Sequence, residues 1–107
     1  MQEILKSFMN DPWWLISTSM SESLTKELEK ELSIKHILYG KEAVAVARRE
    51  DNDDIIFWIK KLNKYAVVHL TYSKETSSDF PITLLFTLSE LEEYCKTVSK
   101  FHSNGGY

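Results

Sequence analysis

The chain has 107 residues, a length typical of one small domain, and we expect a single domain over residues 1–107. Hydrophobic residues make up 43% and charged residues 27%, a balance that excludes an intrinsically disordered chain. The net charge is −3 and no long basic run is present, which argues against a nucleic-acid-binding protein.

Cysteine usage and the first residues set expectations about compartment. Cys95 is the only cysteine, so an internal disulfide and a multi-cysteine metal site are both excluded. Met1 is followed by Gln2 and Glu3, without the basic start of a signal peptide. No apolar run approaches the ~20 residues that span a membrane. We therefore expect a cytoplasmic protein with no membrane contact.

The N-terminal segment combines a helical pattern with an apolar run. Ile4, Leu5 and Phe8 have near-helical spacing and predict a short helix that ends before Asp11-Pro12. The next four residues, Trp13 to Ile16, are all large and apolar. They indicate either a short buried strand or an apolar anchor laid over a sheet.

Two further helices are indicated by periodicity. Over residues 21–33, a leucine stripe at Leu24, Leu28 and Leu32 faces away from a charged side. Residues 87–101 carry a broad apolar face, and either Thr87 with Glu90 or Ser89 with Glu92 forms a capping-box pattern at its start.

Four stretches read as strands, near 42–49, 54–61, 65–72 and 82–87. The first alternates Ala and Val, and the next two form a hairpin around a polar break at 60–64. The predicted architecture is therefore an α+β domain, with a four-stranded antiparallel β-meander covered by the helices near 21–33 and 87–101. The N-terminal helix and the Trp pair are expected at one edge of the sheet or over its mixed, partly polar face.

A register for the hairpin follows if residues 63 and 64 form a two-residue loop. Phe57 then opposes Leu70 on an apolar face, and Trp58 opposes His69 on a mixed face. Because Lys64 suits a type I′ turn poorly, a longer loop is the alternative. A second two-residue loop at 51–52 places Ala45 opposite Trp58.

This register predicts a row of small side chains, Ala43, Ala45 and Ala47, beside Trp58 and His69. Small side chains leave a trough. One possibility is that a helix fills the trough. The other is that the trough is an open groove in which a ligand or partner contacts the side chains of Trp58, His69, Thr71 and Tyr65.

Candidate chemistry is sparse. His69 is either a general base or donor, or a structural histidine. Arg48, Arg49 and Asp53 flank one turn, where they form either ion pairs or a charged recognition edge. The three histidines lack metal-ligand spacing, and the acidic turn lacks the later glutamate of a calcium loop, so neither a metal nor a cofactor is expected.

Three strings carry a resemblance: HILYGKEAVAVARREDNDDIIFW from His36, YAVVHLTYS from Tyr65, and a proline with a short strand before the last helix. Over about half of the chain, they resemble a family of small bacterial α+β proteins without an established activity. The chain is also similar in size and acidity to the immunity proteins that accompany bacterial toxins, which transfers no functional residue.

The functional expectation is a non-enzymatic protein-binding module. It would be an immunity- or antitoxin-like protein that neutralises a partner, such as a toxin domain, by occlusion. The alternative is a small-molecule-binding protein or minor enzyme with a groove around Trp58 and His69. An exposed edge strand would either mediate dimerisation or accept a partner strand.

Overall fold

The computed structural model describes residues 5–76 and 78–104. Its elements, in chain order, are β1 (Trp13–Leu15), α1 (Thr18–Glu31), β2 (Ala43–Arg49), β3 (Asp54–Ile59), β4 (Lys64–His69), β5 (Ile82–Phe86) and α2 (Leu88–Asn104). The strands form one antiparallel sheet in the order β1-β2-β3-β4-β5. The predicted α+β class and antiparallel meander are confirmed, but the sheet has five strands rather than four.

The additional strand comes from the apolar run at Trp13. β1 pairs with β2, so that Trp13 lies opposite Arg49 and Trp14 opposite Arg48. Neighbouring residues of a strand face opposite sides of the sheet. Trp13 is consequently 1% exposed, whereas Trp14 is 50% exposed. Of the predicted N-terminal helix, residues 1–4 lie outside the described residues, and Met9 donates its N–H to the Leu5 carbonyl at 3.1 Å.

Side chains cap both helices at their first residues. The Ser17 side chain accepts the Met20 N–H at 3.2 Å, and α1 therefore begins at Thr18 rather than at the predicted Ser21. At α2, the Glu90 carboxylate accepts the Thr87 N–H at 2.8 Å and the Thr87 hydroxyl accepts the Glu90 N–H at 3.3 Å. This is the first of the two predicted capping boxes.

The β3–β4 hairpin has a longer loop than the predicted two-residue turn. Lys60–Leu62 forms a 3₁₀ turn and Asn63 adopts a left-handed conformation with φ of 52°. Trp58 therefore pairs with Tyr65, and His69 pairs with Asp54, so the predicted Trp58–His69 pair is wrong. The shift is an even number of residues, and each side chain keeps its predicted face.

The β2–β3 register contains a bulge between Ala45 and Ala47, which the sequence analysis did not anticipate. A bulge adds one residue to a strand and reverses the faces on one side of it. Ala45 therefore pairs with Phe57 beneath α1, while Ala47 pairs with Ile56 on the opposite face. The predicted alanine row beside Trp58 and His69 does not exist.

Helix α1 contacts β2 next to this bulge through side-chain hydroxyls. Ser21 Oγ donates to the Ala45 carbonyl at 2.6 Å, and the Ala45 N–H donates to Thr25 Oγ1 at 3.2 Å. The small Ala45 side chain permits this close approach. A helix does lie against Ala45, but on the face opposite to the predicted one, whereas Ala47 lies on the other side of the sheet.

The sheet separates two hydrophobic clusters. The face beneath α1, here called the α1 face, buries Leu24, Leu28, Leu38, Ala45, Ile55, Phe57, Ile59, Ala66, Val68 and Leu70. The opposite face, here called the α2 face, buries Leu5, Phe8, Trp13, Val46, Ala47, Ile56, Tyr65, Val67, Leu91 and Cys95. The described helices include none with the length and apolarity to cross a membrane.

Candidate functional site

An aspartate–histidine pair lies on the α2 face where β3 begins and β4 ends. The register places Asp54 opposite His69, and His69 Nδ1 lies 2.8 Å from Asp54 Oδ1. The imidazole is about half exposed and the carboxylate is largely buried. In the neutral tautomer whose Nδ1 donates to the carboxylate, Nε2 carries a lone pair, which is the arrangement of a general base.

Arg49 brings a second carboxylate to this pair. Its Nε donates to Asp51 Oδ1 at 2.6 Å and its Nη2 to Asp51 Oδ2 at 3.2 Å, while Nη1 lies 3.7 Å from Asp54 Oδ2. The guanidinium also lies 5.9 Å from the centre of the Trp13 ring. The predicted ion pairing across the turn is confirmed for Arg49, whose charge is used within the molecule.

Trp58 and Tyr65 form a separate aromatic pair further along the same face. Their ring centres are 4.9 Å apart at an interplanar angle of 55°. Tyr65 is buried, and burial raises the pKa of its phenol. Since His69 lies at the other end of β4, the predicted groove around Trp58 and His69 is not assembled.

Thr71 belongs to a structural contact rather than to the α2 face. Its N–H and hydroxyl donate to Glu31 Oε1 at 2.8 and 3.1 Å, and the Tyr72 N–H donates to Glu31 Oε2 at 2.8 Å. Glu31 is fully buried at the end of α1. Helix α1 thereby fixes the residues that follow β4, including Tyr72, which has a positive φ of 58°.

Arg48 lies on the α1 face in a group here called the aromatic–arginine surface, which comprises Trp14, Met20, Arg48 and Tyr72. The Arg48 guanidinium carbon is 5.8 Å from the centre of the Trp14 ring, and Nη1 is 3.8 Å from Met20 Sδ. Its Nε is buried without a hydrogen-bond partner, and no described carboxylate forms an ion pair with Arg48.

Tyr72 completes this surface. Its ring is about half exposed, like that of Trp14. Partial burial is the main cause that raises the pKa of its phenol; Asp53 raises it further, and Arg48 lowers it. The phenol is therefore within electrostatic range of both the arginine and the predicted site residue Asp53, whose carbonyl accepts the Leu70 N–H at 3.2 Å.

The predicted site residues thus divide among three places. Arg49 and His69 meet around Asp54, Trp58 pairs with Tyr65, and Arg48 joins Trp14 and Tyr72, while Thr71 lies apart from all three in its contact with Glu31. The predicted site residues included neither Asp54, which is hydrogen-bonded to His69 and ion-paired with Arg49, nor the surface aromatic Tyr72. The alternation of Trp13 and Trp14 in a strand is a signal that would have indicated one buried and one exposed tryptophan.

Comparisons with known proteins do not assign the chain to a family. The chain matches no protein-family model, no curated protein and no solved structure. Within the described part of the chain, no group of three or more His, Cys, Asp or Glu side chains is placed to hold a metal ion.

Proposed function

We propose that this protein is a non-enzymatic protein-binding module that contacts its partner through the aromatic–arginine surface. The observation that carries the proposal is Arg48, which has a buried, unpartnered Nε and lies beside the half-exposed Trp14. Buried polar groups without partners are rare because each costs free energy. No described carboxylate neutralises the Arg48 charge, and a partner carboxylate beside the guanidinium would do so.

The composition of the surface supports the same proposal. Trp, Tyr and Arg are the residues most enriched among those that dominate binding energy at protein interfaces, and Met is enriched in interfaces as well. Trp14, Tyr72, Arg48 and Met20 bring all four types together. The Glu31 contacts hold Tyr72 in place before binding, which lowers the entropy cost of association.

The proposal extends to an immunity- or antitoxin-like action in the cytoplasm, in which the module occludes a toxin domain. A free, buried Cys95 thiol suits a reducing compartment. To test occlusion, this protein is co-expressed with the product of the adjacent reading frame in the native genome. The measurement is whether co-expression restores the growth of cells that the neighbouring product inhibits. Rescue by the wild type and its loss in Trp14→Ala support the proposal.

The test of binding is affinity capture from the native host with three variants. We expect one protein to be retained by the wild type and by Tyr39→Ala, and lost by Trp14→Ala and Tyr72→Asn. Tyr39 is a matched control because it is an equally exposed aromatic on the connector after α1. Asparagine suits the positive φ at position 72. Equal retention by all variants contradicts the surface.

The Asp54–His69 pair favours a second candidate function, small-molecule binding or a minor enzymatic activity. Its geometry fixes the imidazole and leaves the ring half exposed. To test this candidate, the isotope-labelled protein is titrated with small carboxylates and phosphates while the NMR signals of the His69 ring are recorded. Unchanged His69 signals across the series count against it.

A further inference from the structure

Strand β5 ends the sheet with an outer edge that no described strand covers. The sheet order places β5 last, paired on one side with β4. The opposite end of the sheet is formed by β1, which has only three residues. The five-residue β5 is therefore the longer of the two open edges.

Natural proteins protect such edges with charged side chains, prolines or bulges, because unpaired backbone groups attract another strand. The β5 sequence ITLLF contains none of these within its length. On the α2 face, its side chains Ile82 and Leu84 are about half exposed, and Phe80 just before the strand is also exposed. This edge therefore exposes apolar side chains and lacks these protective features within the strand.

We propose that the edge of β5 pairs with β5 of a second copy of this chain to form a two-fold symmetric dimer with a continuous ten-stranded sheet. Antiparallel pairing centred on Leu84 places Leu84 opposite its own copy and Ile82 opposite Phe86 of the partner subunit. The alternating faces of a strand then put these apolar residues on one side.

The strand's own chemistry favours a second copy as the occupant. β5 carries no charge, so two copies meet without repulsion along the strand. Its apolar positions on the α2 face are Ile82, Leu84 and Phe86, a pattern that reads the same in both directions. A two-fold axis requires such self-complementarity. Two short strands bury little area, so the dimer should be reversible and concentration-dependent.

The test is sedimentation of the full chain over a concentration series. We expect the wild-type mass to rise from the monomer value of 12.5 kDa towards twice that value. Leu84→Lys places like charges opposite each other and should raise the dissociation constant on the order of tenfold or more. Val44→Lys is the matched control and should associate like the wild type, since Val44 and Leu84 are each 47% exposed.

Charge exchange tests the register directly. An equal mixture of Leu84→Lys and Leu84→Glu should associate again, because the two-fold axis brings residue 84 of each copy together. A wild type that remains a monomer at every concentration, as expected if another protein supplies the strand, overturns the proposal. A Leu84→Lys variant that dimerises like the wild type, or a mixture that stays monomeric, also overturns it.

Discussion

The buried carboxylate of Glu31 accepts the backbone N–H of Tyr72 at 2.8 Å, across 41 positions of sequence. It accepts the Thr71 N–H at the same distance. The last turn of α1 thereby holds the segment that leaves β4. The backbone that carries the Tyr72 ring to the aromatic–arginine surface is thus hydrogen-bonded to this side chain.

Glu31→Gln should destabilise the fold by roughly 1–3 kcal/mol, since the amide nitrogen cannot accept a backbone N–H. Burial raises the pKa of Glu31 above its usual 4.5 and the neighbouring Glu27 carboxyl raises it further, which outweighs the lowering effect of the hydrogen bonds from Thr71 and Tyr72. Stability from this site is therefore complete below pH 4.5 and is lost as the pH rises through the folded-state pKa.

The cost of Glu31→Gln should accordingly be larger below pH 4.5 than near neutrality. Urea unfolding of the wild type and the variant at the two pH values measures the difference. Glu29→Gln, an exposed position on the same helix, should show no such trend. A cost that grows with pH would contradict the raised pKa.

Because of the bulge, we expect a lysine substitution to be tolerated at Val44 but not at the adjacent Ala45. Val44 is exposed, so Val44→Lys should change the free energy of unfolding by about 0.5 kcal/mol or less. Ala45 is buried beneath α1, and Ala45→Lys should prevent folding or cost more than ~4 kcal/mol. A strand without the bulge would give the reverse order. Thermal unfolding followed by circular dichroism distinguishes the two.

The two adjacent tryptophans should also differ in their contribution to the stability of the fold. Trp13→Ala removes a buried side chain and should cost about 3–5 kcal/mol. Trp14→Ala should cost less than ~1 kcal/mol while removing partner capture. Denaturant unfolding of both variants gives the comparison, and similar stability losses would show that Trp14 belongs to the core.

Cys95 should be unreactive in the folded protein. Burial raises the pKa of its thiol from 9.0 to about 12, so almost no thiolate exists near neutral pH. A thiol reagent should label Cys95 only after guanidinium is added. Rapid labelling of the native protein, at the rate of an exposed thiol, would show that the side of α2 that carries Cys95 is not packed against the sheet.

Periodicity in the sequence predicted the helix near 21–33, the helix near 87–101 and the face of each hairpin residue. It failed at the registers. The bulge between Ala45 and Ala47 lies within a regular Ala–Val alternation, with no glycine to mark it. The left-handed Asn63 lengthened the other turn and separated Trp58 from His69.

The candidate sites were less predictable because their members are distant in sequence. Trp14 and Arg48 meet only through the pairing of β1 with β2, and Glu31 meets Thr71 across 40 positions. Local patterns carry no information about such pairs. Asp54 and His69 were both visible in the sequence, but only the correct loop length places them opposite each other.

The order of strands in the sheet equals their order in the chain. When each strand from β2 to β5 is synthesised, the preceding strand, with which it pairs, has therefore already been synthesised. Helix α1 lies between β1 and β2, but from β2 to β5 no α-helix separates paired strands, so each of these later closures involves a short loop and a small entropy cost. The sheet can grow strand by strand as the chain leaves the ribosome, and β5 is added last.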